Sequence, residues 1–88
     1  MAIHLVQRSS ALDACLSAAE INDIIVLLGE GVTAMLFAPK NQLLHACAID
    51  INERGLADRV SSQVTLVTDA EVVQLCADYK PCVSWTQP

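Results

Sequence analysis

Aromatic side chains are nearly missing from this chain. Phe37, Tyr79 and Trp85 are the whole complement, so any core has to be assembled from Ala, Val, Ile and Leu. No apolar run approaches the ~20 residues that a membrane-spanning helix needs, which argues against a bilayer span. Positive charge is scarce as well: five Lys and Arg face ten Asp and Glu, for a net charge of −5, and no basic cluster occurs. Direct binding to a nucleic-acid backbone is therefore not expected. The chain also opens without a charged n-region, an apolar h-region and a small-residue cleavage site, so a cytoplasmic protein is expected. Glycine is limited to three positions. Gly29-Glu30-Gly31 lacks the third glycine of GxGxxG and the Gly-Lys-Ser/Thr of a P-loop, and a tight strand-to-helix turn is the simpler use for it.

Cysteine, in contrast, is present four times, as Cys15, Cys47, Cys76 and Cys82, with separations of 32, 29 and 6 residues. These spacings fit neither a zinc knuckle nor a CxxC redox pair, and in a cytosolic chain they read as reduced thiols. No metal and no cofactor are expected. Apolar residues make up 53% of the chain, above the usual ~45–50%. This excess suits buried subunit contacts and hence a homo- or hetero-oligomer. At 88 residues the chain reads as a single domain, 1–88.

The stretch from Ile24 to Leu28 is continuously apolar and rich in β-branched residues, the pattern of a strand covered on both faces of a parallel sheet. Ahead of it, Ile3 to Val6 reads as a strand and Ala11 to Glu20 as a helix with Leu12, Cys15, Leu16 and Ala19 on its packed stripe. Ser9-Ser10 supply hydroxyls to cap that helix, with Asp13 in its first turn. A short helix is expected over Val32 to Ala38, ended by Pro39. Leu43 to Ile49 reads as a third strand, and Asp50 to Arg59 as a loop with at most one helical turn. Val64 to Val67 is the fourth strand. Thr68 or Asp69 caps a last helix carrying the rows Ala70, Val73, Ala77 and Val72, Cys76, Tyr79, and Cys82 to Trp85 is a candidate fifth, edge strand. The alternation predicts an α/β layer protein with right-handed crossovers and a mainly parallel sheet of four to five strands with helices on both faces. Sites in such sheets lie beyond the carboxyl ends of the strands, here Gln7 to Ser10, Gly29 to Gly31, Asp50 to Arg54 and Thr68-Asp69.

Few residues stand out for chemistry. Cys15 is a candidate nucleophile or sulfur acceptor, but it shares its helix face with Leu12, Leu16 and Ala19, and a buried small hydrophobe is the simpler reading. Cys47 and Cys76 read as core, and Cys82 as an exposed thiol without a visible partner. His4 and His45 lie within apolar strands, where an imidazole can satisfy itself on backbone groups, and neither has a ligand at metal-binding spacing. The Ser9-Ser10 pair and His4 could suggest hydrolysis, but there is no GxSxG elbow, and helix capping explains the serines better. A small-ligand or nucleotide module using Gly29 to Gly31 lacks any phosphate-binding side chain.

Taken in order, Ile3 to Ser9, Asp23 to Ala34, Ile51 to Leu56 and Val83-Ser84-Trp85 resemble the TusB/DsrH family, across nearly the whole chain. The sequence departs from the family pattern at Ser9-Ser10, where many relatives have Ser-Pro, and at Gly29-Glu30-Gly31, where many have Gln-Asp-Gly. The resemblance implies a small DsrE-like fold and a cytoplasmic subunit of a sulfur relay that passes persulfide sulfur between small proteins. Its partners would be TusC/DsrF-like and TusD/DsrE-like subunits. For TusB-like members the destination is 2-thiolation of the tRNA wobble uridine; for DsrH-like members it is dissimilatory sulfur oxidation. Cys15 falls where DsrH-like chains carry a first-helix cysteine, whereas TusB-like chains commonly lack it. The chief sulfur-carrying cysteine of such complexes belongs to the TusD/DsrE-like partner, which implies an accessory, non-catalytic subunit here. The alternative is a self-contained homodimeric thiol carrier using Cys15.

Overall fold

The computed structural model describes residues 1–86. Five short strands, β1 (Ile3–Val6), β2 (Ile24–Leu27), β3 (Leu44–Cys47), β4 (Val64–Val67) and β5 (Cys82–Trp85), form one sheet in the order β4-β3-β2-β1-β5. Every neighbouring pair is parallel. Three α-helices, α1 (Leu12–Ala18), α2 (Ala48–Glu53) and α3 (Asp69–Asp78), and a 3-10 segment over Gly29–Leu36 make the crossovers. Parallel pairing obliges the chain to cross back after each strand, and this is why strands and helical segments alternate.

The strand order explains the two-sided layering. From β1 to β4 the chain steps in one direction across the sheet, and the last crossover reverses to place β5 on the far side of β1. With crossovers of one hand, the reversal puts the last helix on the opposite face. The packing follows this rule. Leu12 and Cys15 of α1, Val32, Ala34 and Met35 of the 3-10 segment and Ile51 of α2 pack with Val6, Ile25, Leu27, Leu44 and Ala46 in one cluster. Val72, Leu75 and Cys76 of α3 pack with Ile3, Val26 and Val67 on the other face. Each strand alternates between the two, the period-two consequence of the pleat.

Some local expectations shift. The third strand is shorter than Leu43 to Ile49, because α2 begins at Ala48 in the stretch expected to be strand end and loop. There Ile51 turns inward and is 1% exposed, so tertiary burial converts a polar-looking segment into a helix. The second helical segment starts at Gly29 rather than Val32 and is 3-10 throughout. Its i, i+3 spacing stacks Glu30 on Thr33, whose hydroxyl donates to both the Glu30 carbonyl and its carboxylate. On α3 the row Val72, Leu75, Cys76, Tyr79 faces the sheet, while Ala70, Val73 and Ala77 face solvent. The Thr68 cap forms as a full capping box with Glu71, each side chain meeting the other's backbone N–H. Among the described residues, no helix is long and apolar enough to cross a membrane.

Candidate functional site at the carboxyl edge of the sheet

The turns after β1 and β2 meet through one carboxylate. The Ser9 backbone N–H donates to Glu30 Oε1 at 2.8 Å and its hydroxyl to Glu30 Oε2 at 2.6 Å, and Arg8 Nε lies 3.7 Å from Oε1. The two Ser9 bonds and that from Thr33 hold the Glu30 carboxyl down to about 2, with Arg8 contributing less. The serines therefore do not act as expected: no side chain caps the 3-10 turn Ser9–Ala11 or α1. The partner of Ser9 lies 21 residues away, beyond the reach of a capping pattern.

Both glycine N–H groups of the turn are engaged within the protein. The Gly29 N–H donates to Asp50 Oδ2 at 2.7 Å, Arg54 Nε–H donates to the Gly29 carbonyl at 3.1 Å, and the Gly31 N–H donates to the Leu28 carbonyl. Gly31 packs so tightly that a Cβ there would sit 2.0 Å from the Val6 carbonyl oxygen. With these glycine amides engaged by Asp50 and Leu28, they are not available to cradle an anion. The tight-turn reading of Gly29 to Gly31 describes the structure.

In a doubly wound sheet the natural crevice opens between adjacent strands whose following segments leave to opposite faces. Here those strands are β3 and β4, since α2 packs on one face and α3 on the other. Cys47, the last residue of β3, closes that position: its thiol donates to Asp69 Oδ1 at 3.3 Å and the residue is 2% exposed. Burial pushes its pKa up, and the Asp69 contact adds to this against opposing backbone donors from Asp50 and Ile49. Cys15 lies wholly inside the larger core cluster, at 0% exposed. Burial, reinforced by the negative charge of Asp23, pushes its thiol up to about 11. Both groups are protonated near neutrality, and a thiol is a far weaker nucleophile than a thiolate.

The opposite, amino end of the sheet carries a polar clamp. Asp23 accepts from the backbone N–H groups of Ala2 and Glu20 and pairs with His4 Nε2 at 2.9 Å. Trp85 Nε1–H donates to His4 Nδ1 at 3.0 Å. An indole nitrogen is only a donor, so Nδ1 must hold a free lone pair and the proton sits on Nε2, directed at Asp23. The Glu20 amide, then His4, then the Ala2 amide hold Asp23 down to about 2. His4 thus satisfies itself on side chains rather than on backbone groups, and it ties β5, β1 and the approach to β2 together. His45 differs: its Nδ1 is buried without a partner. Next to it opens a cleft of about 700 Å³ whose walls include Leu16, Ala19, Ile21, Asn22 and Leu43, with no cysteine among the lining residues. Among the described residues, no cluster of three metal-ligating side chains occurs.

The family model described as "DsrH like protein" matches residues 6–82, most of the sheet and all three helices. The chain belongs to the DsrH-like family. Protein TusB of Pectobacterium atrosepticum is similar to it, with 32% identity over 82 residues, covering 84% of this chain and 86% of that protein. As a DsrH-like family member, the chain has a sheet edge held by internal carboxylate contacts, with Cys15 and Cys47 closed off from solvent. Sequence patterns singled out Cys15 as a candidate, and they gave no sign of the Ser9–Glu30 and Asp50–Gly29 links. Ser and Asp beside turns signal local caps, and nothing local marks a partner more than twenty residues away.

Proposed function

We propose that the chain is an accessory subunit of a sulfur-relay complex, TusB-like in serving 2-thiolation of the tRNA wobble uridine beside TusC/DsrF-like and TusD/DsrE-like subunits in the cytoplasm. Membership in the DsrH-like family and the likeness to a TusB protein support the relay assignment. The observation that supports the accessory role is the burial of Cys15, the first-helix cysteine: a sulfur carrier must meet its donor and its acceptor, and a thiol wholly inside the core is badly placed for either. Exposed Ile21 and Leu43 on the rim of the large cleft, 98% and 73% exposed, suit a surface that subunits cover.

The test is co-expression with the two candidate partners followed by native mass spectrometry and a thiolation assay on tRNA. A complex containing all three chains, with sulfane sulfur on the TusD/DsrE-like partner and full tRNA thiolation by the Cys15→Ala variant, is the expected result. Failure to form any such complex would overturn the proposal. The place of Cys15 on α1 favours a second reading, in which it carries sulfur itself in a DsrH-like subunit or a homodimer. That reading expects sulfur on Cys15 in the wild type and loss of transfer in the same variant, while Ile51→Val serves as a control for loss of packing alone.

A further inference from the structure

Cys76 and Cys82 face each other across the sheet edge, with their sulfur atoms 3.8 Å apart. Cys76 lies in the last turn of α3 and Cys82 is the first residue of β5. The pairing of β5 with β1 places Cys82 opposite Ile3, and Ile3 belongs to the face on which α3 packs. The register therefore directs both cysteines into the same gap. The geometry is held from several sides: the Ile3 N–H donates to the Pro81 carbonyl, the Gln7 N–H to the Trp85 carbonyl, and Leu75, beside Cys76, is packed against the sheet.

We infer that Cys76 and Cys82 form a reversible dithiol–disulfide site that exchanges with low-molecular-weight disulfides such as oxidised glutathione. Of the four cysteines, these are the two that solvent reaches: Cys82 is exposed and Cys76 half-buried, whereas Cys15 and Cys47 are buried. A disulfide requires the sulfurs to approach to about 2.05 Å. From 3.8 Å the sulfurs need to close by under about 2 Å, and Cys82 stands exposed at the sheet edge. The order of attack follows from exposure. The Cys82 thiolate attacks one sulfur of oxidised glutathione, forming a mixed disulfide and releasing one glutathione thiolate. Cys76 then gives its proton to solvent and attacks Cys82 Sγ, and the second glutathione leaves. The two protein thiols lose two electrons in all, and the glutathione disulfide gains them. Burial and the neighbouring Cys82 push the Cys76 thiol up, which suits it to the second, intramolecular step, where proximity replaces thiolate abundance. The disulfide would fasten the end of α3 to the edge strand β5. The inference does not depend on the relay assignment.

The experiment equilibrates the purified full-length chain in buffers of graded reduced and oxidised glutathione, quenches it in acid, alkylates it after denaturation, and counts labels by mass. Cys76 and Cys82 share one tryptic peptide, because Pro81 blocks cleavage after Lys80. Expected is a single transition in which two of the four cysteines lose their labels together. The peptide beginning at Val60 then loses two hydrogens, and the midpoint follows the squared concentration of reduced glutathione divided by the concentration of oxidised glutathione. Cys76→Ser should instead accumulate one glutathione on Cys82, and Cys82→Ser should stay fully alkylatable at both buried positions and at Cys76. A persistent glutathione adduct on the wild type, a disulfide between two chains, protection at Cys15 or Cys47, or four labels throughout would each overturn the inference.

Discussion

A single methyl group separates two glycines of the same turn. Gly31 has negative φ, but a Cβ there would collide with the backbone of Val6, which cannot move without disturbing the β1–β2 ladder. Gly29 has φ +55° and open space around its Cβ position. Gly31→Ala should therefore cost about 3 kcal/mol or more, at the upper end of overpacking, and Gly29→Ala only about 1–2 kcal/mol of left-handed backbone strain. Urea unfolding with unchanged m-values checks the order. The buried imidazole supplies a second residue-scale prediction. Trp85→Phe keeps an aromatic ring but removes the indole donor to His4 Nδ1, leaving a buried acceptor without that bond at about 1–3 kcal/mol. Its loss should appear in the urea midpoint and in a shifted His4 imidazole resonance. The Gly-Glu-Gly turn was legible because its residue types restrict backbone shape locally; the His4 bonds were not, since their partners are 19 and 81 residues distant.

Among the elements, α3 leans most on its own ends. It has no fully buried residue, and it touches the sheet through half-buried Val72, Leu75 and Cys76. The capping box thus carries a larger share of its stability than caps do on a well-buried helix. Thr68→Ala should cost about 1 kcal/mol and speed hydrogen exchange in the first turn of α3 before that in the strands. This element was readable in advance because a cap at Thr68 or Asp69 and the Val72, Cys76, Tyr79 row lie within a few residues of each other. The 3-10 segment was not. Its tightness comes from a short crossover that must bury Val32, Ala34 and Met35 while Gly31 meets β1, a demand set by strand spacing rather than by propensity. The α2 helix was hidden for the same reason, since only the docking of Ile51 against the sheet stabilises so short a turn.

For the whole molecule, the two depressed carboxylates make acid the weak side. Asp23 falls from 3.8 to about 2 and Glu30 from 4.5 to about 2 on folding. A carboxyl whose folded pKa is lowered binds its proton more readily when unfolded, so its stabilisation is complete above the ordinary pKa and is lost as pH falls through the folded one. Urea stability should hold near neutrality and decline from about pH 4.5 towards 2. Ser9→Ala removes the donor that contributes most to the Glu30 shift, and it should raise the Glu30 pKa in a carbon-detected NMR titration while leaving Asp23 unmoved. A structural role without the Ser9–Glu30 link would leave both titrations unchanged.

By itself the sequence determined the class of the molecule: apolar β-branched runs, helical stripes and turn residues set an alternating α/β chain, and ordered motifs set its family. Those signals act over one or two turns of chain, the distance over which side-chain periodicity and backbone preference operate. Only the tertiary structure decided the strand order β4-β3-β2-β1-β5 and the reversal that sends α3 to the far face. It alone decided which polar groups meet. Ser9 with Glu30, Asp50 with Gly29 and His4 with Trp85 become neighbours when parallel strands align. Parallel pairing needs long crossovers, and the groups that end up adjacent are separated by whole elements whose sequences carry no mark of the encounter.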